Sequence, residues 1–131
     1  MFKSIVAYNL DFALQKDVAQ QDTLAGIRNN AMLSLGYDFL ARRSELVALR
    51  TSDLDFTKDG ALKGMIRKSK TDQYGRGRLV FGSERSAKLL RAWFRQKPKG
   101  IEAVFCAINH GNCLDRSICD RNVNEIIKKV L

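Results

Sequence analysis

Between Lys63 and Lys99 the chain carries 12 Lys or Arg against only Asp72 and Glu84. That local charge of +10 exceeds the +9 of all 131 residues, so the rest of the chain is close to neutral. Charge distributed so unevenly makes a surface of strong positive potential, and its commonest partner is a polyanion. Arg67, Lys68, Lys70, Arg76 and Arg78 crowd the two sides of one segment, IRKSKTDQYGRGRLV, and Lys88 follows on the next helix. Like charges facing one another weaken a β-ladder unless an anion offsets them. A solvated Lys/Arg-rich face is the plain alternative. Lack of compensation over so long a stretch favours phosphate contacts, whose affinity is salt-sensitive and indifferent to sequence.

Two further groups could do chemistry. Arg42 and Glu45 lie one helical turn apart in Ala41-Arg42-Arg43-Ser44-Glu45-Leu46. Taken alone, such a pair is an ordinary surface ion pair of roughly 0.2–0.5 kcal/mol. Cys106, His110, Cys113 and Cys119 are tetrahedral ligand types, but their spacing fits no zinc module. Buried or loop thiols are the expectation, with no metal and no cofactor. His110 lies in the loop-like Asn109-His110-Gly111-Asn112 and is not expected to act in catalysis.

The composition sets the frame for these residues. A length of 131 residues with 45% hydrophobic content suits a single domain with a real core. One Pro and nine Gly argue against low complexity. No apolar run approaches the ~18 residues of a membrane span. Lys3, Asn9 and Asp11 interrupt any signal-peptide core in the first residues. Three Cys, all in the last 26 residues, suit a reducing compartment. A cytoplasmic or nucleoid-associated protein is expected.

The elements that must position the site are mostly helical. A weakly patterned helix is expected within residues 1–21. Asp22 can cap a helix carrying Leu24, Ile27, Ala31 and Leu35 that ends near Gly36, and a short helix over 42–49 follows. Strands are expected at 54–56, 61–67 and 78–81, the first two joined by a turn at Lys58-Asp59-Gly60. Ser83 opens an amphipathic helix with Ala87, Leu90, Trp93 and Phe94 inward, stopped by Lys97-Pro98-Lys99-Gly100. After a short strand at Val104-Phe105 and a loop, a terminal helix begins at Ile118 or Asp120. Its stripe of Val123, Ile126, Ile127 and Val130 wants a partner: the earlier helices, a second chain, or a continuation. The fold class is α+β, a mostly helical domain with a small antiparallel three-stranded sheet.

In this order, residues 22–131 resemble part of the catalytic domain of tyrosine recombinases, the phage integrase family, nearest to its Cre-like members. Ile27-Arg28-Asn29-Asn30-Ala31 is similar to the helix before the family's first active-site box. Arg42-Arg43-Ser44-Glu45-Leu46 is similar to that box, Ser52-Asp53-Leu54-Asp55 to the strand entry after it, and Ser69-Lys70-Thr71 to the hairpin lysine motif. Four weak pieces in order make a specific match. The resemblance implies that Arg42 grips the scissile phosphate with a bidentate fork, that Glu45 orients the site, and that Lys70 protonates the leaving 5′-hydroxyl. Arg43, standing where the family has an apolar residue, would join Arg67, Lys68, Arg76, Arg78 and Lys88 in holding DNA. The register to Glu45 favours Arg42 over Arg43 as the phosphate-gripping residue.

The family's second box, His-x-x-Arg with the later nucleophilic Tyr, has no match, and Tyr8, Tyr37 and Tyr74 lie elsewhere. The expectation is a DNA-binding piece of a bacterial or phage recombinase, truncated at both ends and inactive alone. A DNA-binding module without enzymatic descent is one alternative. The other is an interaction protein that pairs with a second copy, or with a full-length recombinase, through the terminal stripe.

Overall fold

The computed structural model describes residues 23–67 and 77–130, less the Val130 side chain. The helix expected within residues 1–21, together with Lys68, Lys70, Tyr74 and Arg76, lies outside the described residues.

Helix α1 spans Leu24–Phe39, and its N-cap is Thr23, whose hydroxyl accepts the Gly26 N–H at 2.9 Å. It runs three residues beyond Gly36, because Gly36 is buried within it and Phe39 must reach the core. The helix stops at Leu40, which takes a left-handed φ of 53°. Helix α2 (Arg43–Val47) and a 3-10 turn (Thr51–Asp53) lead into the sheet.

Strands β1 (Leu54–Phe56), β2 (Leu62–Ile66) and β3 (Arg78–Gly82) form an antiparallel sheet in chain order. Leu62, Gly64 and Ile66 face inward along β2 while Lys63 and Met65 face out. Gly64 is dictated by packing, since a Cβ there would stand 2.8 Å from the Phe39 ring. Gly77, leading into β3 at φ 71°, is doubly required: a Cβ would meet the Ile66 carbonyl oxygen at 2.6 Å.

Helix α3 (Glu84–Gln96) buries Ala87, Leu90 and Trp93 against α1. Asp38, near the end of α1, fastens its start. The Asp38 Oδ2 atom accepts the Ser83 N–H at 2.9 Å, the Ser83 hydroxyl at 2.7 Å and the Ser86 hydroxyl. The Trp93 indole N–H donates to the Val104 carbonyl at 2.6 Å, joining α3 to the chain after it.

The stretch expected as a short strand at Val104-Phe105 followed by a loop is a second hairpin. Strand β4 (Cys106–Asn109) pairs with β5 (Asn112–Ser117), with His110 and Gly111 both at positive φ in the turn. Arg28 is buried and donates from Nη1 to the Cys106 carbonyl at 3.1 Å, tying α1 to this hairpin.

Helix α4 (Asp120–Val130) closes the fold and begins at Asp120, one of the two starts expected. Val123 and Ile127 are 0% and 6% exposed, in one core with Leu46 of α2, and Ile126 packs at its edge. Of the partners this stripe could take, the earlier helices cover Val123 and Ile127, while Ile126 stays half-buried.

Candidate nucleic-acid interface

Arg42 and Arg43 open α2, and both side chains are exposed. Arg42 cannot supply the acceptor of a capping box, because a guanidinium carries only donors. Glu45 therefore makes the cap alone: its Oε1 accepts the Arg42 N–H at 2.8 Å, which fixes the backbone from which the Arg42 side chain projects. The carboxylate also faces Arg78, the first residue of β3, whose Nη1 and Nη2 approach Glu45 Oε2 and Oε1 at 3.4 Å. Arg78 Nη2 reaches the Phe39 carbonyl at 3.5 Å as well. Glu45 thus ties Arg42's main chain to the start of β3.

A second arrangement of the same kind follows eight residues on. The Asp53 Oδ2 atom accepts the Arg50 N–H at 3.0 Å. The same oxygen lies 3.1 Å from Nε of Arg67, just past β2, and Arg67 Nη2 donates to the Ala48 carbonyl. The sequence reading missed this site. Its signal was the repeat of one spacing, Arg42-x-x-Glu45 and Arg50-x-x-Asp53.

Arg67 and Arg78, both expected to hold DNA, are each paired with a mostly buried carboxylate, the side chains of Glu45 and Asp53 being 10% and 12% exposed against 47% and 44% for Arg78 and Arg67. Arg42 and Arg43, by contrast, stand exposed with no ion pair among the described residues. Lys88 is exposed on α3, and no contact among the described residues joins it to this group. Lys68, Lys70 and Arg76 belong to residues 68–76, between the Arg67 and Arg78 anchor points and outside the described residues.

The remaining polar residues form a separate cluster. Lys97 is buried, with Nζ donating to the Ile101 carbonyl and, at 3.4 Å, to that of Pro98; burial pulls its pKa down. Burial lowers the pKa of Arg28 in the same way. Burial and a hydrogen bond with Cys113 push the Cys106 thiol up to about 11. His110 is exposed at the β4–β5 turn and Cys119 is exposed just ahead of α4, so the four residues weighed as zinc ligands do not converge. Among the described residues, no three His, Cys, Asp or Glu side chains gather as a metal site.

The architecture is one already seen in a solved recombinase structure. The crystal structure of XerA recombinase superposes with a TM-score of 0.63 over 95% of this chain and 39% of that one, at 20% sequence identity. An integrase/recombinase XerD homolog of Selenomonas ruminantium is 39% identical over 123 residues, covering 88% of this chain and 36% of the relative. No protein-family model matches the chain. The chain belongs to the tyrosine recombinase family and spans little more than a third of the length of the relatives it matches.

Proposed function

We propose that these residues form the DNA-holding part of a recombinase catalytic domain, with Arg42 as its phosphate-gripping residue. The observation that carries this reading is the pair of exposed arginines at Arg42 and Arg43, without an ion pair among the described residues and beside acids already engaged by other arginines. With Glu45 committed to the Arg42 N–H and to Arg78, the Arg42 fork is left for an anion. Two parallel N–H···O contacts suit a phosphodiester, and they strengthen as charge builds on the phosphoryl oxygens.

In the complete reaction a tyrosine oxygen attacks the phosphorus. The phosphorus–oxygen bond to the 5′-carbon's oxygen breaks, and a proton must reach that oxygen. Lys70 is the donor in this reading. Arg43, Lys68, Arg76 and Lys88 supply the surrounding backbone contacts. The nucleophile is not among the residues assigned here: Tyr37, the one tyrosine described, packs against the core. Among the described residues no helix is long and apolar enough to cross a membrane, and DNA binding would place the protein on the nucleoid.

Fluorescence anisotropy of a labelled duplex, titrated with protein at rising salt, tests the reading. Five or so phosphate contacts give a log–log slope of roughly −4 to −5, and removing one should flatten it by about 1. Arg42→Ala should leave most non-specific affinity intact, since the other cations remain. Absence of duplex binding at low salt would overturn the proposal.

A further inference from the structure

Two cysteines meet on one face of the second hairpin, where the DNA chemistry makes no use of them. Cys106 is buried on β4, and Cys113 is half-buried on β5. The pairing register sets Ile108 opposite Cys113, and strand alternation puts Cys106 on the same side as Ile108. Cys106 belongs to the main core, Cys113 packs against it, and the two thiols are in hydrogen-bond contact. We infer that Cys106 and Cys113 are a redox modification site, which an oxidant of the hydroperoxide class closes to a disulfide joining β4 to β5.

Geometry and surroundings carry the inference together. In a regular ladder, diagonal neighbours stand about 7–8 Å apart at Cα, just beyond the usual span of a disulfide. Here the register shifts between Cys106 and Ile108, so the ladder is irregular where the two thiols meet. The difference in exposure gives the order of events. Cys113 is the sulfur that an oxidant reaches first, while Cys106 is shielded behind it. Two cations also face the pair. Arg28 of α1 and Lys97, just past α3, are both buried, and each interacts electrostatically with both sulfurs. Their charge works against the burial that keeps Cys106 protonated, and so favours the thiolate that must attack.

In the first step the Cys113 sulfur attacks a peroxide oxygen. The S–O bond forms, the O–O bond breaks, and the leaving hydroxide takes up the thiol proton as water. The Cys106 sulfur then attacks the Cys113 sulfur. The S–S bond forms, the S–O bond breaks, and a second water departs with the Cys106 proton. The thiol pair loses two electrons, and the peroxide is reduced to water. In a reducing compartment such a bond is transient and reopens by thiol exchange. Closed, it braces a joint: the Cys106 carbonyl holds Arg28 of α1, and the Phe105 carbonyl accepts the Ile118 N–H at 2.8 Å ahead of α4.

The test treats the reduced full chain with hydrogen peroxide, alkylates the remaining thiols and reads tryptic peptides by mass spectrometry, with Cys119→Ser beside wild type. Residues 100–116 form one tryptic peptide that holds both thiols and excludes Cys119. In both proteins it should emerge unalkylated and two hydrogens lighter, and dithiothreitol should return it to the doubly alkylated form. In Cys106→Val, with its fold checked by circular dichroism, Cys113 should stop at a sulfenic acid that dimedone captures. With dimedone present throughout, the ratio of disulfide to dimedone adduct should be on the order of 10-fold higher in the folded chain than in guanidinium, where only closeness in sequence acts. Wild type and Cys119→Ser decide the matter even if Cys106→Val does not fold. A doubly alkylated peptide once Cys119 is fully oxidised would overturn the inference. So would a Cys113 sulfinic acid beside a free Cys106, or equal ratios in the folded and unfolded chains.

Discussion

Replacing Glu45 should show that one carboxylate serves two elements. In Glu45→Ala the Arg42 N–H loses its acceptor and Arg78 its partner. The cap is of the kind that contributes about 0.5–1 kcal/mol, helped by a negative charge at a helix start. At 3.4 Å a full pair of charges would interact by about 1 kcal/mol in water and about 5 kcal/mol at an effective dielectric of 20. Arg78 is 47% exposed and both contacts are long, so solvent screening holds the pair to about 0.5–1 kcal/mol. Glu45→Ala should therefore cost about 1–2 kcal/mol, Arg78→Gln about 0.5–1, and Glu45→Gln, which keeps an acceptor, an intermediate amount. Urea denaturation of the two single variants and the double variant gives a coupling of about 0.5–1 kcal/mol, shrinking in molar salt. Additive effects, or an Arg78→Gln loss as large as that of Glu45→Ala, would refute a shared carboxylate.

Three other perturbations probe the fold that carries the site. Ile127→Asp puts a charge into the α2–α4 core and should destabilise the protein by more than about 3 kcal/mol, with the wild-type molar mass by light scattering unaffected by dilution; a stable variant that only changes assembly would reverse the placement of the terminal stripe. Gly64→Ala forces the Phe39 ring to move and should cost about 1–3 kcal/mol in thermal or urea melts, while a neutral result would deny the tight contact. Cys106 keeps its proton in the folded protein up to about pH 11 and loses it near 9 when unfolded, so stability should fall as pH climbs between those values, by up to about 2–3 kcal/mol. Lys97, whose pKa is lowered, acts the other way as pH nears 10.5, and melts of Cys106→Val beside wild type isolate the thiol's part.

What could be read in the sequence was the local chemistry. Ser83 caps α3, hydrophobic spacing set its inward face, and the β1–β2–β3 order followed from alternation and turn residues. The second hairpin escaped notice because β5 is largely polar and shows no clean alternation between buried and exposed residues. Gly36 suggested a stop, but packing of α1 against α3 and the burial of Phe39 outweighed its local cost. The stripe on α4 was legible and its partner was not, since Leu46 lies 77 residues before Val123 and only the tertiary fold joins them. The same limit applied to the site. The pairing of Arg67 and Arg78 was not legible because the acids that hold them, Asp53 and Glu45, belong to other elements.

The most direct test watches Arg42 itself. Side-chain Nε–H signals of the arginines, recorded by NMR as a short duplex is added, separate the exposed fork from the anchored ones. The Arg42 signal should shift and gain protection from exchange, while Arg67 and Arg78, already paired, should move little. An Arg42 signal indifferent to saturating duplex, with Arg67 or Arg78 responding in its place, would contradict the assignment of the phosphate-gripping residue.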